Sequence, residues 1–159
     1  MIMEFIKKQT IATWITLGTV ILTIVALVLC GNNSSEGYFA ALLNQGNWMS
    51  LLIWSLVLEI IYLVLVQVNV EGVAGTAVKF VGDLLKIVIA VLLISALVSF
   101  LGTRVEGLGY ILFPEETVRP EVQTAVNMAS ANGAITATIM IGVAWLVALV
   151  ASFFGSKKA

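Results

Sequence analysis

The sequence predicts an all-α membrane protein, a bundle of four transmembrane helices with both termini in the cytoplasm and a short helix in the second outer loop. Three observations carry that expectation. Of 159 residues, 60% are hydrophobic and 11% charged, with a mean hydropathy of +1.09. A typical soluble domain is about 45–50% apolar and about 25% charged, so this chain has too little polar surface to cover itself in water. Four apolar runs of about 20 residues then match the roughly 30 Å hydrocarbon core of a bilayer at 1.5 Å per residue. Finally, the basic residues near the run ends gather on one side.

The first span is expected at about residues 11–30, with the uncharged segment Ile15–Cys30 at its heart. Lys7 and Lys8 ahead of it resemble a signal peptide, but the apolar stretch exceeds the usual 7–15 residues of such a segment. The large Leu29 before Cys30 also departs from a lipoprotein cleavage box, so the span is expected to stay. A first outer loop, 31–47, opens on Gly31-Asn32-Asn33-Ser34-Ser35, a turn-rich run. Its second half, 38–43, suits a short interfacial helix with Tyr38, Phe39 and Trp48 at headgroup depth.

The second span, about 48–68, contains one acid, Glu59. The connection to the third span is short and carries Gly72 and Gly75, which predicts an antiparallel hairpin. The third span, about 80–101, has Asp83 and Lys86 at its start, three apart on one helical face. A local ion pair with Lys86 snorkelling to the interface is the expectation. The second outer loop, 102–133, holds an aromatic-rich stretch from Tyr110 to Phe113, then Pro114 and Pro120. Pro at the start of a helix and Glu121 in its first turn predict a short helix over 121–130, leading through Asn132-Gly133 into the fourth span at about 134–154.

Orientation follows from Lys7, Lys8, Lys79, Lys86, Lys157 and Lys158 on one side against Arg104 and Arg119 on the other, which gives N-in, C-in. A single membrane domain in the plasma (bacterial inner) membrane is the matching expectation. Small residues at helical spacing set the packing faces: Ala12, Thr16, Thr19, Thr23 and Ala26 in the first span, with Ala144 and Ala148 among those of the fourth.

Several function classes drop out. Without histidine there is no His-ligated haem, His-based zinc site or His general base. With one cysteine there is no intrachain disulfide and no CxxC motif. No basic cluster suits nucleic acid, no cofactor is expected, and no constellation points to an enzyme. The expected partners are the lipid bilayer and either further copies of the chain or other membrane subunits.

Glu59 is the residue that calls for explanation. It lies eleven residues after Trp48, near the bilayer centre, where an acid is costly and desolvation favours its neutral form. Ser55 four residues before it and Tyr62 three after share its helical face, with the threonine stripe of the first span as a natural hydrogen-bonding partner. Three roles are open to it: interhelical glue, the partner of a cation such as Lys86 or one on another subunit, or a proton or cation site in transport.

In topology alone, four spans with a membrane acid resemble the small multidrug transporters. The acid here is in the second span rather than the first, and the outer loops are larger. The large-outer-loop layout resembles tetraspanins and claudins, whose loop cysteines this chain lacks. The leading expectation is a non-enzymatic accessory or structural subunit or a homo-oligomer, with a small Glu59-dependent transporter or channel as the alternative.

Overall fold

The computed structural model describes residues 10–42, 46–68 and 72–155, and every regular element among them is helical. Four helices dominate: α1 (Ile11–Ser35), α2 (Trp48–Leu65), α3 (Gly72–Gly102) and α6 (Ala125–Ser152). Each is long and apolar enough to cross a membrane. A backbone in hydrocarbon has no water to bond, so uninterrupted apolar runs satisfy their amides within the helix. Neither proline falls inside these four helices, so nothing breaks their ladders.

The helices run up and down in turn and close into a ring. α1 packs on α2 and α6, and α3 packs on α2 and α6. One end of the bundle therefore carries the start of α1 and the close of α6, and is called here the terminal end. The other carries the two long connections and is called the loop end. Ile21, Trp54, Val64, Phe80, Val98 and Ile139 face outward and are half or more exposed. An exterior of this kind is suited to lipid as its solvent, and the chain reads as an integral, multi-pass membrane protein.

The faces turned inward are the small and polar ones. Ala12, Thr16, Thr19, Thr23 and Ala26 of α1 are all buried, as are Ala134, Ala137, Ala144, Ala148 and Ala151 of α6. Small side chains let two backbones approach closely, which is how helices gain packing in a medium that offers no hydrophobic drive. Leu52, Leu93, Ala96 and Ile141 fill the centre, and Trp48 meets Phe100 edge-on at 5.5 Å towards the loop end.

Helix ends follow local chemistry. Thr10 caps α1 by accepting a bond from the Thr13 amide at 3.2 Å. Thr124 caps α6 in the same way through Asn127 N, and the Asn127 side chain donates back to Val122 O at 2.8 Å. This cap starts α6 at Ala125, so residues 125–133 belong to the last long helix and not to a separate loop helix. The helix begun by Pro120 is a single turn, α5 (Arg119–Val122), tied to the aromatic-rich α4 (Val105–Leu112) by Gln123 Nε2 donating to Ile111 O. α4 stops at Leu112, two residues before Pro114, and the intervening Phe113 is disfavoured in helical backbone by the proline that follows it.

The first loop forms a 3₁₀ helix, Gly37–Leu42. Residue 43, part of the expected interfacial helix, lies outside the described residues, as do the four terminal lysines of the charge count. Phe39 and Trp48, expected at headgroup depth, are fully buried; Tyr38 remains partly exposed. Gly37 has φ +72, and a Cβ there would collide with Ser130 Oγ. A Cβ at Gly107 would meet the rings of Tyr38 and Phe39 at 2.7 Å, so α4 lies directly on the 3₁₀ helix.

Candidate functional site

Glu59 sits in the middle of α2 with no exposed surface. Two hydroxyls reach the same carboxyl oxygen. Thr23 Oγ1 of α1 donates to Oε1 at 2.9 Å, and Ser55 Oγ, one turn earlier on α2, donates at 3.3 Å. Oε2 is buried and has no hydrogen-bond partner among the described residues. Among the described residues no cation lies within ion-pair distance of it, and the ion pair found there joins Lys86 to Asp83. The third residue of the expected cluster, Tyr62, is also fully buried one turn along the same face, and its ring lies 6.0 Å from Lys86 Nζ.

Lys86 departs from the snorkelling expectation. It is 2% exposed and turned into the bundle, where its ammonium donates to the Phe154 carbonyl and pairs with Asp83 Oδ1 at 2.9 Å. The reason is local. α6 ends at Ser152 beside it, and the Phe154 carbonyl just past that end has no helical amide to bond, so the buried ammonium satisfies it. Asp83 is 42% exposed at its side chain and keeps the pair in touch with the surroundings. Lys86 is thus not the partner of Glu59.

The threonine stripe borders both. Thr23 is bonded to Glu59, Thr19 Oγ1 donates to Ile15 O at 3.1 Å, and Thr16 Oγ1 is buried without a partner among the described residues. A cavity of about 10 Å³ is lined by Thr16, Thr19, Lys86, Ile89, Ala148 and Ala151. The stripe residues Ala144 and Ala148 form the α6 side of the same interior.

The bundle holds a second buried cation that the sequence pattern does not predict. Arg104, in the expected second outer loop, has no exposed surface and sits at the loop end. Its guanidinium lies over Phe100 with the carbon 4.2 Å from the ring centroid, and 5.6 and 5.9 Å from those of Trp48 and Phe39. One amino group donates to Thr103 Oγ1 and the other to Ser34 Oγ. Those hydroxyls in turn donate to Phe100 O and Cys30 O, both at 2.8 Å. Burial lowers the Arg104 pKa from its ordinary value, but that value is so high that the side chain keeps its charge. No carboxylate lies within ion-pair distance of it among the described residues.

The bundle interior therefore carries three buried acidic or basic side chains in sequence: Arg104 at the loop end, Glu59 in the middle, and Lys86, paired with the part-exposed Asp83, at the terminal end. Trp48, which borders Arg104, is eleven residues from Glu59, about 16 Å by helix rise. The apolar layer of Leu52, Leu93, Ala96 and Ile141 belongs to the same core. Chemically, the centre can hold and release a proton on Oε2. A bare metal ion, which asks for about six or more oxygen ligands, finds one unshared carboxyl oxygen there. Set against known protein families, curated proteins and solved structures, the chain matches none of them.

Proposed function

We propose that this chain is a non-enzymatic integral membrane protein whose working part is a proton-binding carboxyl, Glu59, of the kind a small proton-coupled transporter uses. The observation that carries this reading is the asymmetry of the carboxyl: both donated hydrogen bonds fall on Oε1, and Oε2 is buried with no partner among the described residues. A purely structural acid in a low-dielectric interior is stabilised by satisfying both oxygens, since a buried unsatisfied polar atom costs about 1–3 kcal/mol. Leaving one oxygen open keeps a place for a proton to come and go. Ionisable residues inside a membrane bundle are costly and mark functional sites by default.

The test is infrared difference spectroscopy of the purified chain in lipid, following the carboxylic acid C=O band that Glu59→Gln removes. Loss and return of that band as pH is cycled across the physiological range supports the proposal. A band that never responds to pH, in a protein whose assembly fails in Glu59→Gln, reduces Glu59 to interhelical glue.

A second reading, an accessory subunit or homo-oligomer, is favoured by the apolar surface at the loop end. Val105, Tyr110, Phe113 and Val126 are between 51% and 84% exposed there, and exposed apolar patches mark contact sites. Purification in mild detergent with native mass measurement decides it: a stoichiometric partner or defined oligomer supports this reading, and a monomer alone removes it. In either case the lysine-rich terminal end is assigned to the cytoplasm, with the plasma (bacterial inner) membrane as the location.

A further inference from the structure

We propose that Glu59 exchanges its proton with the aqueous phase at the terminal end only, through Lys86 and one water held between Thr16, Thr19 and Lys86, while the loop end is closed to protons. This inference rests on the proton-binding reading of Glu59 and adds to it a direction and a route.

The route is built from observations independent of the carboxyl. A cavity of about 10 Å³ lies between α1, α3 and α6, close to the size that holds a single water. A buried water needs two to four polar partners. Thr16 Oγ1, 3% exposed and without a partner among the described residues, lines that cavity, as do Thr19 and Lys86. From there Thr19 and Tyr62 continue towards Thr23 and Glu59, all on buried faces. Thr16 and Thr23 are seven residues apart, about 10 Å of helix rise, a gap that hydroxyls and one water can bridge. At the outer limit of the route Asp83 is part-exposed and neutralises Lys86 at 2.9 Å.

The two ends differ in how they treat an approaching proton. At the terminal end the cation is paired with a carboxylate, so the entrance carries little net charge. At the loop end Arg104 is a fixed cation with no carboxylate in reach among the described residues, backed by Trp48, Phe100 and the apolar layer below. A buried, uncompensated arginine beside a hydrophobic constriction is an electrostatic barrier to cations and protons. The buried or part-buried ionisable groups on the elements around Glu59 are Tyr62 on its own helix, Lys86 with Asp83 on α3, Cys30 on α1 and Arg104 just beyond α3; α6 contributes none.

Proton uptake by this route balances at every step. An O–H bond forms at Glu59 Oε1 as the O–H of Thr23, which donates to it at 2.9 Å, breaks, and a half-turn of the acid group then exchanges the two oxygens. Thr23 Oγ1 takes a proton from the next group in the same step, and the last donor takes one from a hydronium ion beyond Asp83, which becomes water.

The experiment uses the full chain in sealed vesicles of known orientation, with pH stepped on one side at a time and the Glu59 carboxyl band followed in time. The expected result is a response to the terminal-side step and none to the loop-side step. Lys86→Met and Thr16→Val should slow that response by at least about tenfold, since positioned proton donors typically contribute more than that. Lys86→Arg, which keeps the charge and donors, should slow it less than Lys86→Met. A response to the loop-side step, or unchanged rates in both Lys86→Met and Thr16→Val, overturns the route while leaving the proton site standing. A band that responds to neither side overturns the proton-binding reading itself.

Discussion

Arg104 has aromatic rings around its guanidinium and hydroxyls on its nitrogens, and each kind of partner makes a different demand on a substitution. Flat stacking over Phe100 needs a planar cation; the two hydroxyls need a forked donor. Lysine supplies the charge without either shape. We expect Arg104→Lys to lower stability by about 2 kcal/mol, the scale of a desolvated cation–π contact, with a matching fall in the unfolding midpoint in detergent. Equal midpoints for Arg104→Lys and wild type would mean that charge alone matters there. Glu59→Gln keeps shape and both hydroxyl donors, so its midpoint should move by no more than about 1 kcal/mol. Glu59→Leu should be worse, because it strands the hydroxyls of Thr23 and Ser55 in a buried site. These two acidic and basic positions also show what a sequence discloses. Ser55 and Glu59 are one turn apart on one helix, so their meeting is a matter of helical geometry alone. Thr23 could be named as a partner because its stripe had to face inward. Arg104 could not, since it follows α3 by two residues and its enclosure comes from Phe39, Trp48 and Ser34 on other elements. The available signal was a cation flanked by loop aromatics, which is equally the signature of a membrane-surface residue.

At the scale of elements, the long helices were legible because length and hydropathy are properties of contiguous residues. Their ends were less so. α3 begins at Gly72, well ahead of the apolar stretch, and α6 begins at Ala125 through the cap of Thr124. A polar helical extension has the composition of a loop, and only the hydrogen bonds of its cap reveal it. Two glycines with positive φ separate backbone strain from crowding. Gly72 has φ +70 with open space around it, whereas Gly37 has φ +72 and Ser130 Oγ against the position of a Cβ. Gly72→Ala should cost about 1 kcal/mol, the backbone penalty alone. Gly37→Ala should cost more, towards the upper part of the roughly 1–3 kcal/mol range of left-handed strain. The reason is that Ser130 also accepts the Tyr38 amide at 3.0 Å and its carbonyl takes Asn33 Nδ2 at 2.8 Å. Displacing Ser130 therefore loosens the join of α1, the 3₁₀ helix and α6 together. Unfolding midpoints of the two variants side by side check this, and an equal loss would show that Ser130 yields freely.

For the whole molecule, orientation depends on charges that the fold treats unequally. The rule of basic residues sets six against two, but Lys86 is buried and paired with Asp83, and Arg104 is buried at the opposite end. Removing one from each side leaves five against one, and the bias keeps its sign. The same fold supplies a clean way to measure it. Cys30 is the only cysteine and is fully buried, so it should not react with a membrane-impermeant maleimide. Single cysteines can then be placed at Phe113, 84% exposed at the loop end, and at Val73, 90% exposed at the start of α3. α3 has 31 residues, about 46 Å, which carries its first turns beyond a hydrocarbon core of about 30 Å. In intact cells Phe113→Cys should label and Val73→Cys should not, with Val73→Cys labelling once the membrane is opened. The reverse pattern would place the Lys86–Asp83 entrance on the outside, so that Glu59 would draw its proton from there. Half-labelling of both positions before opening would mean that the chain inserts both ways, because five against one had proved too small a bias to fix it.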